Sequence, residues 1–103
     1  MANQQIAILA DVRPGRHDDL QKMLTQGPPF DLAEHGFTRH HAFLGEANLI
    51  LVFEGERPTS DVKRLAASLG MAQVTKMARL ISNPRLVPEA FSWEAAPSDL
   101  QPV

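Results

Sequence analysis

Apolar and polar positions alternate along the chain in segments that predict both strands and helices. The apolar run at residues 6–10 predicts a strand over residues 5–12. Pro14-Gly15 then predicts a turn into a helix, because proline fits the first helical turn, where no amide donor is needed. That helix has a buried stripe at i, i+3 and i+4 spacing, formed by Leu20, Met23 and Leu24. Gly27 followed by two prolines predicts its end.

The middle of the chain predicts a hairpin. A short helical turn over residues 31–35, ended by Gly36, is followed by β-rich runs at 37–44 and 47–54 around Gly45-Glu46. A two-residue turn would place Thr38, His40, Ala42 and Leu44 on one face with Ala47, Leu49, Leu51 and Phe53. The other face would then carry Phe37, Arg39, His41, Phe43, Asn48, Ile50, Val52 and Glu54. A three-residue loop would exchange these assignments between the strands.

Residues 58–83 have helical periodicity in two phases. The apolar stripe changes direction at Gly70, a weak helix former, which predicts two helical pieces that meet there. Pro84 would end the second piece, and residues 85–94 would form a last strand with Phe91 and Trp93 as core or dimer-interface anchors.

The order strand, helix, strand, strand, helix, strand predicts an α+β fold of the ferredoxin-like βαββαβ type, with a four-stranded antiparallel sheet. We expect one domain over residues 1–94 and a loose tail over 95–103. Two helices cover only one face of such a sheet, yet the strand at 49–53 is apolar on both faces. The sequence therefore predicts a homodimer whose interface includes Ile50, Val52, Arg39 and Glu54.

Composition narrows the function classes. The chain has 103 residues, no cysteine and a net charge of −2, which excludes disulfide scaffolds, thiol nucleophiles and thiolate-bound metals. A pI near 6.0 gives no general attraction to nucleic acid or to anionic membranes. No apolar run approaches the ~20 residues of a membrane span, and residues 1–5 lack a basic leader. We therefore expect a cytoplasmic protein with neither nucleic-acid nor membrane partners.

The segment ADVRPGRHDDLQKML, residues 10–24, resembles the strand-PG-helix opening of dimeric α/β-barrel proteins. This superfamily includes antibiotic-biosynthesis-type monooxygenases, stress-responsive barrel proteins and polyketide-cyclase relatives. The resemblance implies two sheets packed back to back in a dimeric α/β barrel, with a small-molecule cleft between sheet and helices in each subunit. Haem-degrading members use a Trp in the sheet and a His on the second long helix. Here the strand at residues 49–53 has no Trp, and the helical residues 59–83 include no His. We expect no haem, flavin, metal or other cofactor.

His40 and Asp11 are the candidate catalytic residues. His40 is predicted to point toward the helices, where a titratable group in an apolar cleft would act as an acid, a base or a ligand anchor. The alternative is a core histidine satisfied by a backbone carbonyl. Asp11 is the one acid in an apolar strand and is either a base in the cleft or a strand-end residue beside Arg13. Leu51 and Phe53 would form walls of this cleft.

Other charged residues have simpler interpretations. Arg39 and Glu54 would form a cross-strand ion pair. His40, Asp11 and Glu54 could contribute metal ligands by type, but no His-rich spacing supports a metal site. Basic residues occur without acidic ones between residues 62 and 88, where they would form a solvated helix face or bind an anion: Lys63, Arg64, Lys76, Arg79 and Arg85.

The sequence is compatible with three functions. The first is binding of a small organic molecule in the cleft, and the second is catalysis of the cofactor-independent monooxygenase or cyclase type, by fold analogy. The third is a structural or interaction dimer whose cleft is filled by its own side chains. No phosphate-binding loop, dinucleotide fingerprint or Ser-His-Asp signature is present.

Overall fold

A computed structural model describes residues 3–28 and 31–96. The elements are β1 (Gln4–Val12), α1 (His17–Thr25), β2 (Phe37–Leu44), β3 (Asn48–Gly55), α2 (Pro58–Ser68), α3 (Met71–Leu80) and β4 (Ile81–Pro88). A single 3₁₀ turn at Ala33–His35 precedes β2 and ends at Gly36, which adopts a left-handed conformation. Pro29 and the tail from residue 97 lie outside the described residues, so the predictions made for them are untested.

The chain folds as an α+β protein, as predicted. Its strands form one open antiparallel sheet in the order β2-β3-β1-β4. The turn at Pro14-Gly15 leads into α1, and the predicted break at Gly70 separates α2 from α3. Gly70 has an extended backbone, so the chain changes direction there and each helix buries its own apolar residues, Val62 and Leu65 from α2 and Leu80 from α3.

The hairpin faces are confirmed for most residues, although its turn is longer than predicted. Leu44 pairs with Leu49, and the amide of Gly45 donates to the carbonyl of Asn48 at 2.8 Å. This register is displaced by two residues from that of a two-residue turn. Because side chains alternate with a period of two, the displacement preserves the faces. His40 therefore lies on the same face as Phe53, its partner in the ladder.

Phe37 is the exception, and its predicted face was wrong. A bulge between Phe37 and Arg39 adds a residue to β2, which reverses the alternation at the start of the strand. Phe37 is consequently buried, with its ring centroid 5.0 Å from that of Phe53. Thr38 occupies the bulge and donates its hydroxyl to the Glu54 carbonyl at 3.2 Å.

The core lies on one face of the sheet, which we call the helix face. One cluster packs α2 against the sheet and contains Ile6, Phe37, Phe53, Val62 and Leu65. The second packs α1 and α3 against the sheet and contains Ala10, Leu20, Leu49, Leu80 and Ile81. Since all three helices contribute to these clusters, the helical layer is on one side.

The opposite face, which we call the open face, is covered by no helix of the described chain. The strand registers place Ala7, Leu9, Ile50 and Val52 on it, and none of them belongs to either core cluster. Phe43 lies beside Ile50 and is 56% exposed. No helix among the described residues is long and apolar enough to cross a membrane.

The last strand begins four residues before its predicted start. Ile81 is extended and pairs with Val12, whereas Asn83 and Pro84 fall where the register with β1 shifts. Ile81 continues the apolar helical spacing of Met77 and Ala78, so the pattern did not reveal this boundary. Phe91 and Trp93 follow β4 and are 81% and 76% exposed in the single chain, so they are not core residues, while their role as dimer-interface anchors stays a prediction.

Candidate functional site

A cavity of about 630 Å³ lies between the helix face of the sheet and the helices, and we call it the cleft. Binding sites for small molecules commonly have volumes of roughly 300–1,000 Å³ and mostly apolar walls. Leu51 and Phe53, predicted as walls, both line it. The remaining apolar side chains of the lining come from every layer: Ile8, Met23, Leu24, Pro28, Leu49, Val62, Leu65, Ala66, Leu69, Val74, Met77, Ala78, Ile81 and Pro84.

The cleft lies over the centre of the sheet and the beginning of β4. No residue of β2 is among the described residues that line it. β2 is the edge strand next to β3, whereas the cleft extends from β3 and β1 toward α3 and the first residues of β4. Asn83 lines the cleft with a positive φ of 53°, a conformation that asparagine tolerates better than most residues do. The irregular start of β4 therefore shapes one wall.

Polar groups occur at the solvent-exposed margin of the cleft. Arg13 and Lys76 are its charged lining residues, and no acidic residue lines it within the described chain. The Arg13 Nε donates to the Ala78 carbonyl at 2.7 Å, and the Arg13 amide donates to the Leu80 carbonyl at 2.9 Å. These contacts hold the guanidinium against the C-terminal end of α3. The sequence predicted Lys76 only as one of several basic residues on a solvated helix face or anion site, and Arg13 only as a neighbour of Asp11, because nothing local distinguishes them from other cations.

His40 lies on the helix face, as predicted, but it does not line the cleft. Its Nδ1 donates to the Val52 carbonyl at 3.0 Å, and its ring stacks on Phe53 with centroids 4.3 Å apart. Burial lowers the pKa of His40 from the ordinary 6.5, with a smaller lowering from the nearby His41, while the Val52 carbonyl opposes the change. These contacts favour the alternative of a histidine satisfied by a backbone carbonyl.

Stability should therefore depend on pH through His40. Because the pKa of His40 is lower in the folded chain, the unfolded chain takes up the proton first as the pH falls below 6.5. We expect the free energy of unfolding to decrease from pH 7.5 to pH 5, and to decrease less in the variant His40→Gln. Urea denaturation at a series of pH values measures this difference.

His41→Gln is the matched control for this experiment. His41 is the smallest of the three influences on the pKa of His40, so this variant should retain most of the wild-type slope. Equal slopes in wild type and His40→Gln would contradict the assignment.

Asp11 lies on the open face, away from the cleft. It pairs with Asn48 and Ser82 in the sheet, and its carboxylate lies 3.6 Å from the Arg85 guanidinium, with both side chains nearly half exposed. The sheet therefore separates Asp11 from His40. The structure does not bring the two predicted catalytic residues together, and a joint role in acid–base chemistry remains an untested prediction.

The predicted dimer-interface residues share the open face. Arg39 is the ladder partner of Glu54, but no ion pair joins them within the described part of the chain. Ile50 and Val52 are half-buried on β3, between β2 and β1. The face thus combines an apolar centre with charges of both signs.

A second, polar depression lies around Asp61, a residue that the sequence did not single out. This carboxylate is buried at the first turn of α2, 3.3 Å from the Arg64 guanidinium. A Cβ on Gly36 would come within 2.6 Å of its Oδ2, so the backbone needs glycine there. No group of three or more potential metal-binding side chains occurs among residues 3–28 and 31–96.

Comparison with known proteins found no match: no family model, curated protein or solved structure is significantly similar to this chain. The fold and the cleft geometry are therefore the basis for any functional assignment.

Proposed function

We propose that this protein binds a small apolar organic molecule in the cleft. The main support for this proposal is a space of about 630 Å³, large enough for a ligand, whose walls are predominantly apolar side chains of the sheet and all three helices. A purely structural dimer would instead be expected to fill this region with its own side chains, because protein interiors are close-packed. The cleft therefore favours binding over that alternative.

Titration with octan-1-ol, followed through methyl NMR signals, tests this proposal. Leu51, Leu65 and Met77 line the cleft from three different elements, and their methyl signals should shift together and saturate. The Val87 methyls belong to β4 beside Ala7, outside the cleft lining, and should not move. The absence of saturating shifts at the three cleft residues would contradict the proposal.

Catalysis of the cofactor-independent monooxygenase or cyclase type remains the alternative from the resemblance. No observation in the cleft favours it over binding. His40 and Asp11 are on opposite faces, and the polar lining consists of Arg13, Lys76 and uncharged side chains.

We also propose that the chain is ferredoxin-like and that its open face pairs with a second copy, as in a dimeric α/β barrel. The strand order β2-β3-β1-β4 and the one-sided helical layer support this arrangement. Apolar residues form the centre of the open face, and the exposed Phe43 extends it. Arg39 and Glu54 add opposite charges, which makes the face suitable for a self-complementary two-fold contact.

A further inference from the structure

We propose that the ligand of the cleft is an amphipathic anion, an aliphatic carboxylate in particular, whose headgroup is held by Arg13 and Lys76. This inference rests on the proposed function, since it specifies the chemistry of the molecule that the cleft binds. The apolar walls take the chain of the ligand, and the two cations at the margin take its carboxylate.

The charge of the lining differs from that of the chain. The whole sequence has 12 acidic and 10 basic residues, yet the charged residues of the described lining are both basic. Neither Arg13 nor Lys76 forms an ion pair within the described residues. Of the other eight basic residues, three have an acidic partner within 4 Å among the described residues and five do not, so Arg13 and Lys76 are set apart by their place on the cleft lining. Two cations without acidic partners at the margin of an apolar cleft form a suitable site for an external carboxylate.

The position of Arg13 leaves hydrogen-bonding capacity for a ligand. Its Nε is engaged by the Ala78 carbonyl, while the two terminal nitrogens have no partner in the described structure. Guanidinium groups bind carboxylates through parallel N–H donors. Because Nε anchors the group, less side-chain freedom is lost when a carboxylate binds.

The position of Lys76 bears on whether the cations of the lining have a structural role or a ligand-binding role. Cations near the C-terminus of a helix interact favourably with its dipole, and this accounts for Arg13 and for Arg79, in the last turn of α3. Lys76 lies before that turn and faces the cleft margin instead. The helix dipole therefore does not account for Lys76, which lines the same cavity as Arg13 and is available to the same ligand anion.

Three probes with the same eight-carbon chain separate charge from apolar binding. Octanoate, octan-1-ol and octylammonium carry charges of −1, 0 and +1 at pH 7.5. Calorimetric titration at low ionic strength should give octanoate about fivefold higher affinity than octan-1-ol, with octylammonium weakest, since exposed ion pairs contribute modestly. Raising the salt concentration should reduce the preference for octanoate.

Variants of the cations test the assignment of the headgroup site. Lys76→Gln should lower the octanoate affinity about threefold and leave that for octan-1-ol unchanged, because one exposed ion pair is lost. Arg13→Gln should also lower the octanoate affinity. If Arg13→Gln fails to fold, the result for Lys76→Gln alone tests the headgroup site. Lys63→Gln makes the same change on α2 outside the lining, and Arg79→Gln removes another cation of α3; both should bind like wild type.

The titrations distinguish a failure of the carboxylate inference from a failure of the proposed apolar binding. Equal affinities for octanoate and octan-1-ol, or a preference that survives Lys76→Gln, would overturn the carboxylate inference while leaving apolar binding intact. Failure of both octanoate and octan-1-ol to bind would overturn the proposed function as well.

Discussion

Ala66→Trp should weaken octan-1-ol binding by at least about tenfold, a loss of about 1.4 kcal/mol in binding free energy. Ala66 lines the cleft from α2, so an indole at this position would occupy the space that the proposed ligand needs. Calorimetric titration of the variant measures the effect. Circular dichroism confirms that the helices are retained.

Ala67→Trp is the matched control because Ala66 and Ala67 are both exposed residues of α2, but Ala67 does not line the cleft. It makes the same chemical change at equal cost in helix propensity. We expect it to bind octan-1-ol with wild-type affinity. Equal affinities in the two variants would place the binding site outside the cleft.

Ile50→Asp should convert the proposed dimer into monomers. Ile50 lies at the centre of the open face, and an unpaired carboxylate buried between two copies would cost several kcal/mol, as much as the loss of one of the strongest contacts of an interface. Sedimentation equilibrium at micromolar concentration should give twice the 11.4 kDa chain mass for wild type and the chain mass for the variant.

Phe43→Asp separates dissociation from unfolding. Phe43 is on the same face but is 56% exposed in the single chain, so its replacement costs the isolated subunit little while still placing a charge in the proposed interface. Met71→Asp replaces an apolar residue on α3 that is 79% exposed and should leave the dimer unchanged. A monomeric wild type would refute the dimer, and so would an unchanged dimer in both open-face variants.

Local signals in the sequence predicted much of the fold. Pro14 fixes its φ and Gly15 has a positive φ, so the start of α1 was predictable, and the change of apolar phase at Gly70, a weak helix former, made the break between α2 and α3 predictable. The faces of the hairpin were also predictable, because a displacement of two residues in register preserves the alternation. These features depend on few neighbours, which is why sequence reasoning reached them.

Features that depend on tertiary packing were not predictable. The bulge that buries Phe37 depends on how β2 meets Gly55 and Glu54. The boundary between α3 and β4 depends on the pairing of Ile81 with Val12. In both places the apolar pattern alone is compatible with either arrangement.

The candidate site was predicted in part. The walls Leu51 and Phe53 followed from the alternation of β3, but the cleft extends away from the edge strand that carries His40. Arg13 and Lys76 are 63 positions apart in sequence and share the site only because β1 leads to the C-terminal end of α3. No local pattern could bring them together.

The most direct test of ligand binding in the cleft is the detection of intermolecular nuclear Overhauser effects between octan-1-ol and the methyl groups of the protein. The account predicts contacts from the alkyl chain to Leu51 of the sheet and Leu65 of α2, both of which line the cleft, and their loss in Ala66→Trp. Contacts confined to Phe43, Ile50 and other residues of the open face would contradict it.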